Sequence, residues 1–311
     1  MSYFYGPVPS RRLGFSLGVN LLPKKICTFD CIYCQLGKTN RKSIKRFNYV
    51  DSDKFKKALK KIISKHPKID YITISGCGEP TLHKNLDRII LVIRKVTQNK
   101  YPICVITNSS LLYRKDVRQE LFGADLLMPS LDAFTPRLFR KIDRPHRDIT
   151  IHKIVDGLAK LRKEFKGKIW LEIMLVGGIN DTLAEARKLK KVIIKINPDK
   201  VQLNLPVRPS GSRISLPSYE KIKNMIKIIG PKVEVVHSFY KHAQRRFSQS
   251  IKQDITKFLK IRPATLEDLA KSSGITKKEM REYIRELLAE KSIIENIHNK
   301  KVYFTAALNN D

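Results

Sequence analysis

Long apolar runs are missing from this 311-residue chain, and Lys or Arg interrupts every candidate. None reaches the roughly 20 residues that a spanning helix needs, which argues against a membrane protein and any membrane partner. Cysteine is scarce, and its number is odd, five in all. A disulfide framework belongs to short secreted chains with an even, dense set. The opening "MSYFYGPVPSRRLGFSLGV" carries Arg11 and Arg12 but no apolar stretch with a cleavage pattern. It therefore reads as part of the fold and not as a signal peptide, and the expected location is cytoplasmic. Internal repeats and low-complexity tracts are also absent. Acidic residues are the third shortage: 29 Asp and Glu face 62 Lys and Arg, a formal charge of +33. Thermophile surfaces can be Lys-rich, but they balance Lys with Glu. An excess of this size favours a polyanionic partner, nucleic acid first, and a small-metabolite enzyme does not need it. An anionic membrane surface fits less well, because no basic amphipathic helix stands apart from the core.

What is present is an alternation. Strand patterns are expected at "GVNLL" (18–22), "YITIS" (71–75), "ICVIT" (103–107), "DLLMPSL" (125–131), "KIWLEIMLV" (168–176), "VQLNL" (201–205) and "VEVVH" (233–237). Helical periodicity falls between them, over 52–65, 85–98, 150–165 and 182–195, with a capping box expected from Thr182 and Glu185. Strands alternating with helices mean an α/β fold with parallel strands. The pattern leaves a doubly wound sheet and a partial barrel equally open. From about residue 250 the character changes. Helices are expected near 254–259, 265–274 and 276–291, the last with the capping box Thr276 and Glu279. Two strands then flank a turn at His298, Asn299 and Lys300. Three helices and a hairpin suggest a small winged-helix domain, so the division expected is 1–248 and 249–311. Its third helix carries Lys277, Lys278, Arg281 and Arg285, which suit nucleic acid, although such modules also serve in packing or dimerisation.

Three of the five cysteines fall in "CTFDCIYC", as Cys27, Cys31 and Cys34. A structural zinc site takes four protein ligands, usually as two separated pairs, and no fourth Cys or His lies in this loop. Three chance core cysteines fit poorly with the polar flanks Lys24, Lys25 and Asp30. Three thiolates from one loop suit an iron–sulfur cluster better. A 4Fe–4S cube needs four ligands, so one iron stays open to a group from outside the protein. Some forty residues later "SGCGEPTL" directly follows a strand. Its glycines permit close backbone approach.

C-x3-C-x-aromatic-C with Tyr33 as the aromatic, followed by that loop, resembles the radical S-adenosylmethionine (SAM) enzymes. The resemblance implies a (β/α)6 partial TIM barrel with the Cys loop after the first strand. Its implied cofactors are a 4Fe–4S cluster on Cys27, Cys31 and Cys34 and SAM, which is cleaved reductively to methionine and a 5′-deoxyadenosyl radical. It implies SAM contacts from Tyr33, Gly76, Gly78 and Glu79, with Glu79 pairing the ammonium. Asn108, Ser130 and Asp132 at later strand ends would bind the carboxylate and ribose. The segment from Met174 to Asp181 would line the adenine side. Local turn chemistry accounts equally for Asn, Ser and Asp at strand ends.

The flanks "YGPVPSRRLGFSLGVNLLPKKICTFDCIYCQLG", "SLDA", "IDRPH" and "QLNLPVRP" are similar to the wyosine-synthetase-related group of that superfamily. The likeness extends to enzymes that methylate threonylcarbamoyladenosine at tRNA position 37, yielding hydroxynorvalylcarbamoyladenosine. The resemblance implies tRNA as partner and a reductant such as ferredoxin or flavodoxin. Substrate contacts would come from Arg11, Arg12, Arg144, His146, Arg208, Arg245 and Arg246, although His146 reads more readily as a structural histidine. Cys77 has two readings, a small buried side chain or a catalytic thiol that relays the methyl group. Two rivals stand beside this one. Wyosine-type ring synthesis needs a Schiff-base lysine and usually a second cluster, and only Cys77 and Cys104 remain for it. The other rival is a non-catalytic iron–sulfur RNA-binding protein.

Overall fold

The computed structural model describes residues 2–65, 69–210, 212–236, 251–273, 275–299 and 301–307. β1 (Phe4–Ser10) and β2 (Gly14–Asn20) pair antiparallel, and β3 (Ile26–Cys27) and β4 (Arg41–Lys42) form a short parallel ladder. Helices and strands then alternate through α1 (Ser52–Lys65), β5 (Tyr71–Ser75), α2 (Leu86–Thr97), β6 (Ile103–Thr107), α3 (Lys115–Glu120) and β7 (Leu126–Pro129). The series continues with α4 (Pro136–Asp143), α5 (Ile151–Glu164), β8 (Lys168–Met174), α6 (Leu183–Ile196), β9 (Lys200–Asn204), α7 (Tyr219–Ile229) and β10 (Val233–Val235).

These strands make one sheet in the order β1-β2-β5-β6-β7-β8-β9-β10. Every pairing from β2 to β10 is parallel. The order never reverses, so the sheet is singly wound, and the doubly wound alternative is excluded. Seven strands run parallel, one for each of the seven strand patterns and one more than the six that the resemblance implied, with β10 (within the expected 233–237) closing the series beyond β9. The central strands are apolar on the face that packs against the helices, while the other face mixes Cys104, Leu126 and Met128 with the buried polar side chains of Thr73, Glu172 and Gln202. Ile72, Ile74, Ile103, Val105, Leu127, Ile169, Leu171 and Val201 are all fully buried. α1 lays Phe55 and Leu59 into this core, and α2 adds Ile89, Ile90 and Ile93.

Two local expectations change. β1 carries Gly6, Pro7 and Pro9, residues that weaken a strand, and was not expected; the sheet edge and a register shift between Tyr5 and Val8 accommodate them. Thr182 does cap α6 by accepting from the Glu185 N–H at 3.2 Å. The Glu185 carboxylate does not return the bond, because it accepts instead from the backbone of Phe134 and Thr135. The box is therefore half formed, and its acid ties α6 to the loop after β7.

The C-terminal part is α8 (Ile251–Leu259), α9 (Leu266–Ser273) and α10 (Lys277–Ala289), then the antiparallel pair β11 (Ile293–His298) and β12 (Lys301–Ala306). The Thr276–Glu279 box forms in full. Ile255, Phe258, Leu269, Met280, Ile284, Leu287 and Phe304 make a second apolar core, and Val8 of β1 belongs to it. The Tyr303 hydroxyl donates to the Val207 carbonyl at 2.7 Å. This unit is thus seated on the edge strand and on the loop after β9. Among the described residues no helix is long and apolar enough to cross a membrane.

Candidate active site

Parallel pairing brings the C-terminal ends of β2 and β5 to β9 to one edge of the sheet, where their loops meet. A cavity of about 320 Å³ opens there. Its walls include Arg11, Arg12, Tyr33, Cys34, Gly76, Ser130, Asp132, Met174 and Arg208, all expected from sequence as site residues. Residues far apart in the chain therefore converge on one space, which periodicity alone could not reveal.

Cys27 ends β3, and Cys31 and Cys34 follow on the loop, where the Cys34 N–H donates to the Cys31 carbonyl at 3.1 Å. The thiols are electrostatic neighbours of one another. Burial first, then Glu79, pushes the Cys27 thiol up to about 12; burial first, then Asp143, raises Cys31 well above its ordinary value. Cys31 Sγ lies 3.3 Å from Asp143 Oδ1, and Asn108 Nδ2 lies 3.5 Å from Cys27 Sγ. The loop is braced from outside as well. Asp30 N and Ile32 N donate to the carbonyls of Asp143 and Ile142 at the end of α4, and His146 N donates to Thr28 O at 2.8 Å.

The loop after β5 docks directly on the cysteine loop. Gly78 bridges to Ile26, and Glu79 N donates to Ile26 O at 3.2 Å. A Cβ on Gly78 would lie 1.9 Å from that carbonyl oxygen, so no side chain fits. Gly76 has φ +117°, and a Cβ there would strike Asn20, whose Oδ1 accepts from Cys77 N at 3.0 Å. Cys77 is half-buried and feels Cys34 electrostatically. Cys104 is fully buried in β6.

Glu79 was expected to offer its carboxylate to an ammonium. It is 2% exposed and already accepts from Thr81 N (3.1 Å), Thr81 Oγ1 (2.6 Å), Thr107 Oγ1 (2.6 Å) and Asn108 N (2.7 Å). Burial raises its carboxyl even against those bonds. The side chain locks the loop after β5 to the end of β6. Asn108 is likewise engaged, with Nδ2 donating to Thr28 Oγ1 at 2.7 Å.

Asp132 sits at the cavity floor. It accepts from the Tyr33 hydroxyl and from Met174 N (2.8 Å), and it is hydrogen-bonded to Asp143. Burial first, then mutual repulsion, pushes Asp143 well above the carboxylate range. Arg12 pairs with Glu172 at 2.8 Å, and Asn204 joins them by donating to Glu172 and accepting from Arg11 Nη2 at 2.9 Å. Burial works to raise Glu172, but Arg12 outweighs it and holds the carboxyl below its ordinary value.

Two expected substrate residues stay outside the cavity. Arg144 is half exposed and lies 4.0 Å from Asp30, while His146 faces Asp148 at 3.5 Å. Both support the cysteine loop from its outer side. Arg245 and Arg246 lie outside the described residues. Sequence reasoning missed Glu172, Asn204, Tyr5 and Arg262, all lining the cavity. Glu172 left one signal, a lone charge inside an apolar strand pattern; Arg262 left none.

The Radical SAM superfamily model matches residues 21–189. Over 315 residues the chain is 34% identical to UPF0026 protein MJ1312 of Methanocaldococcus jannaschii, covering 98% of this chain and 96% of that one. It is 37% identical over 300 residues to a Brachyspira hyodysenteriae protein named GTPase Obg; the match takes in 95% of this chain but spans only 44% of that protein's length. A further match, 27% identical over 227 residues, joins 68% of this chain to 62% of the probable dual-specificity RNA methyltransferase RlmN of Endomicrobium trichonymphae. A solved radical SAM methyltransferase from Sphaerobacter thermophilus shares the fold, with a TM-score of 0.53 at 19% identity over 71% of this chain and 65% of that one.

Proposed function

The chain belongs to the radical SAM superfamily, and from that premise we propose that it is an enzyme that C-methylates an adenosine derivative in tRNA. As a member it uses a 4Fe–4S cluster and SAM. The residues fit both groups. Three neighbouring thiols come from one loop. Among the described residues no three His, Cys, Asp or Glu converge on a single ion; a cube, which takes one thiol per iron, does not require them to. Cys27, Cys31 and Cys34 would hold the cluster. Tyr33, Gly76, Ser130, Asp132 and Met174 would line the cofactor's space, with Gly78, Glu79 and Asn108 behind them as supports. When bound, the pair supplies a carbon radical able to take hydrogen from an unactivated C–H bond. The chain's own part is to bind, orient and exclude water. Tyr33 and Asp132 fix the cavity floor, and Cys77 is proposed to lose its thiol proton and take the methyl group of a second SAM, which would leave as S-adenosylhomocysteine. On passing the methyl to the substrate carbon radical Cys77 would be left as a thiyl, which one electron from the reductant returns to the thiolate.

The observation that carries the RNA reading is the charge. The formal +33 is matched locally by four guanidiniums, of Arg11, Arg12, Arg208 and Arg262, around one cavity. Counterion release from phosphates is the usual use of such an excess. The singly wound sheet is read as a partial barrel. The C-terminal unit is read as a winged helix whose α10 presents Lys277, Arg281 and Arg285 on its exposed side. The motif flanks support threonylcarbamoyladenosine at position 37 as the substrate, the RNA methyltransferase name of one relative supports methyl transfer to RNA, and ferredoxin or flavodoxin would be the reductant. Wyosine-type ring synthesis fits less well: outside the loop only Cys77 and Cys104 remain, and Cys104 is sealed in the sheet. The test is mass spectrometry of tRNA nucleosides from cells with and without the gene. A methylated threonylcarbamoyladenosine that disappears with the gene supports the proposal; identical nucleoside profiles reject it.

A further inference from the structure

The C-terminal unit does more than cap an edge strand: it sends a cation into the cavity. Arg262 closes α8, its N–H donating to Phe258 O at 3.1 Å. Two residues on, Ala264 exchanges backbone bonds with Phe304 of β12 (3.1 and 2.8 Å), so the position of Arg262 is fixed by the hairpin. Its guanidinium lies 5.1 Å from the Phe258 ring centroid and lines the cavity beside Tyr5, Arg11 and Arg208. Its Nε and Nη2 are buried without any hydrogen-bond acceptor among the described residues.

The neighbours do not neutralise it. Glu172 is taken by Arg12 and Asn204, and Asp132 by Tyr33 and Met174. Asp268 is near enough to be felt, but its Oδ2 accepts from Thr265 N at 3.3 Å, at the start of α9. Among the described residues Arg11, Arg208 and Arg262 have no carboxylate within ion-pair distance. Arg208 Nη1 lies 3.5 Å from Gln35 Oε1. Residues 237–250 contain no Asp or Glu that could serve. Burial, then Arg208, lowers Arg262 to about 9, and burial, then Arg208, lowers Arg11 to about 10. A buried charge left unpaired is costly, and the fold would gain by replacing it with an apolar side chain. Retaining Arg262, with the half-buried Arg11 and Arg208 beside it, points to a group that arrives from outside. Guanidiniums match oxyanions with paired N–H donors.

We propose that Arg262, Arg208 and Arg11 form a binding site for an oxyanion of the substrate, a phosphate or a carboxylate carried by the RNA, so that the C-terminal unit completes the active site. The identity of the oxyanion's carrier rests on the RNA reading; the oxyanion site itself does not.

The full-length, cluster-loaded protein is melted in inorganic phosphate, in acetate and in chloride at constant ionic strength. Wild type should show a saturable rise in Tm with phosphate or acetate over chloride. The larger response tells a backbone phosphate from a base-borne carboxylate. Arg262→Met should melt higher than wild type in chloride and lose at least ten-fold in anion affinity. A merely structural arginine would melt lower when replaced. Arg262→Lys and Arg208→Gln, which keep a polar side chain, should each weaken the anion response, and Arg213→Gln on the exposed surface should not. No anion response in wild type, or an unchanged one in all three cavity variants, overturns the site. So does a loss of SAM binding by Arg262→Met, in equilibrium dialysis, with the phosphate response intact. Unlabelled tRNA is then titrated as competitor: if the anion response depends on Arg262 but tRNA does not compete, the oxyanion site stands and the RNA reading fails.

Discussion

Gly78→Ala tests whether the loop after β5 and the cysteine loop are one unit. The new methyl would stand 1.9 Å from Ile26 O, 2.7 Å from Leu22 Cδ1 and 2.9 Å from Ile26 C. Carbon and oxygen in close contact sit about 3.3 Å apart, so the two loops must separate by about 1.4 Å. Both atoms nearest on Ile26 are backbone, which cannot rotate away. Separation also breaks the Glu79 N–H bond to Ile26 O, 3.2 Å long. Overpacking costs about 1–3 kcal/mol and the lost bond about 1 kcal/mol, giving a destabilisation of about 2–4 kcal/mol. For a chain of this size that lowers Tm by about 4–8 °C. Cys27 follows Ile26 directly, so the displaced carbonyl carries the first thiol with it. We expect iron per chain after anaerobic reconstitution to fall to less than about half of wild type, the strain being of the same order as a lost ligand hydrogen-bond network. Gly37→Ala is the control. Nothing lies within 4 Å of its Cβ position, and it bears only the left-handed backbone cost of about 1–2 kcal/mol. Wild-type iron content and melting temperature in Gly78→Ala would refute the coupling.

Other outcomes follow from single contacts. Cys31→Ala should abolish the cluster, read as loss of iron and of its visible absorbance; a variant that keeps both would end the assignment of the loop. Cys77→Ser keeps the volume and removes the soft nucleophile, so methyl transfer to tRNA should stop while 5′-deoxyadenosine is still released; normal transfer rejects the relay. His83 is 3% exposed, and burial, then Arg46, lowers it from 6.5 to about 4. The folded pKa lies below the unfolded one, so its contribution is whole above pH 6.5 and is lost as pH falls toward 4, by up to about 3 kcal/mol. Urea midpoints at pH 7 and 4.5 should differ more for wild type than for His83→Gln, and equal pH dependence would contradict this.

Sequence patterns located the elements whose signal is local. "YITIS" and "ICVIT" became β5 and β6 at the expected residues, and 52–65 became α1. Elements with weak or conflicting local chemistry were missed. β1 is broken by Gly6, Pro7 and Pro9 and survives because β2 supplies its partner bonds at the sheet edge. α4 is only eight residues, yet its end delivers Asp143 to Cys31. The site divided in the same way. The cysteine spacing and the loop after β5 could be read because their residues are neighbours in the chain. The bonds of Glu79 to Thr81, Thr107 and Asn108 could not be read, because they depend on where β6 ends. Arg262 was invisible, because its role arises only when the C-terminal unit folds against Val8 and swings that residue over the sheet.

The central claim is that this cavity transfers a methyl group to tRNA, and it can be measured directly. The full-length protein is reconstituted anaerobically and supplied with dithionite, SAM deuterated in its methyl group, and tRNA from cells lacking the gene. Nucleosides and 5′-deoxyadenosine are then quantified together. We expect label on one adenosine derivative, dependent on reductant and rising in fixed proportion to 5′-deoxyadenosine, with both signals lost in Cys31→Ala. Release of 5′-deoxyadenosine with no label in any tRNA nucleoside would contradict the account.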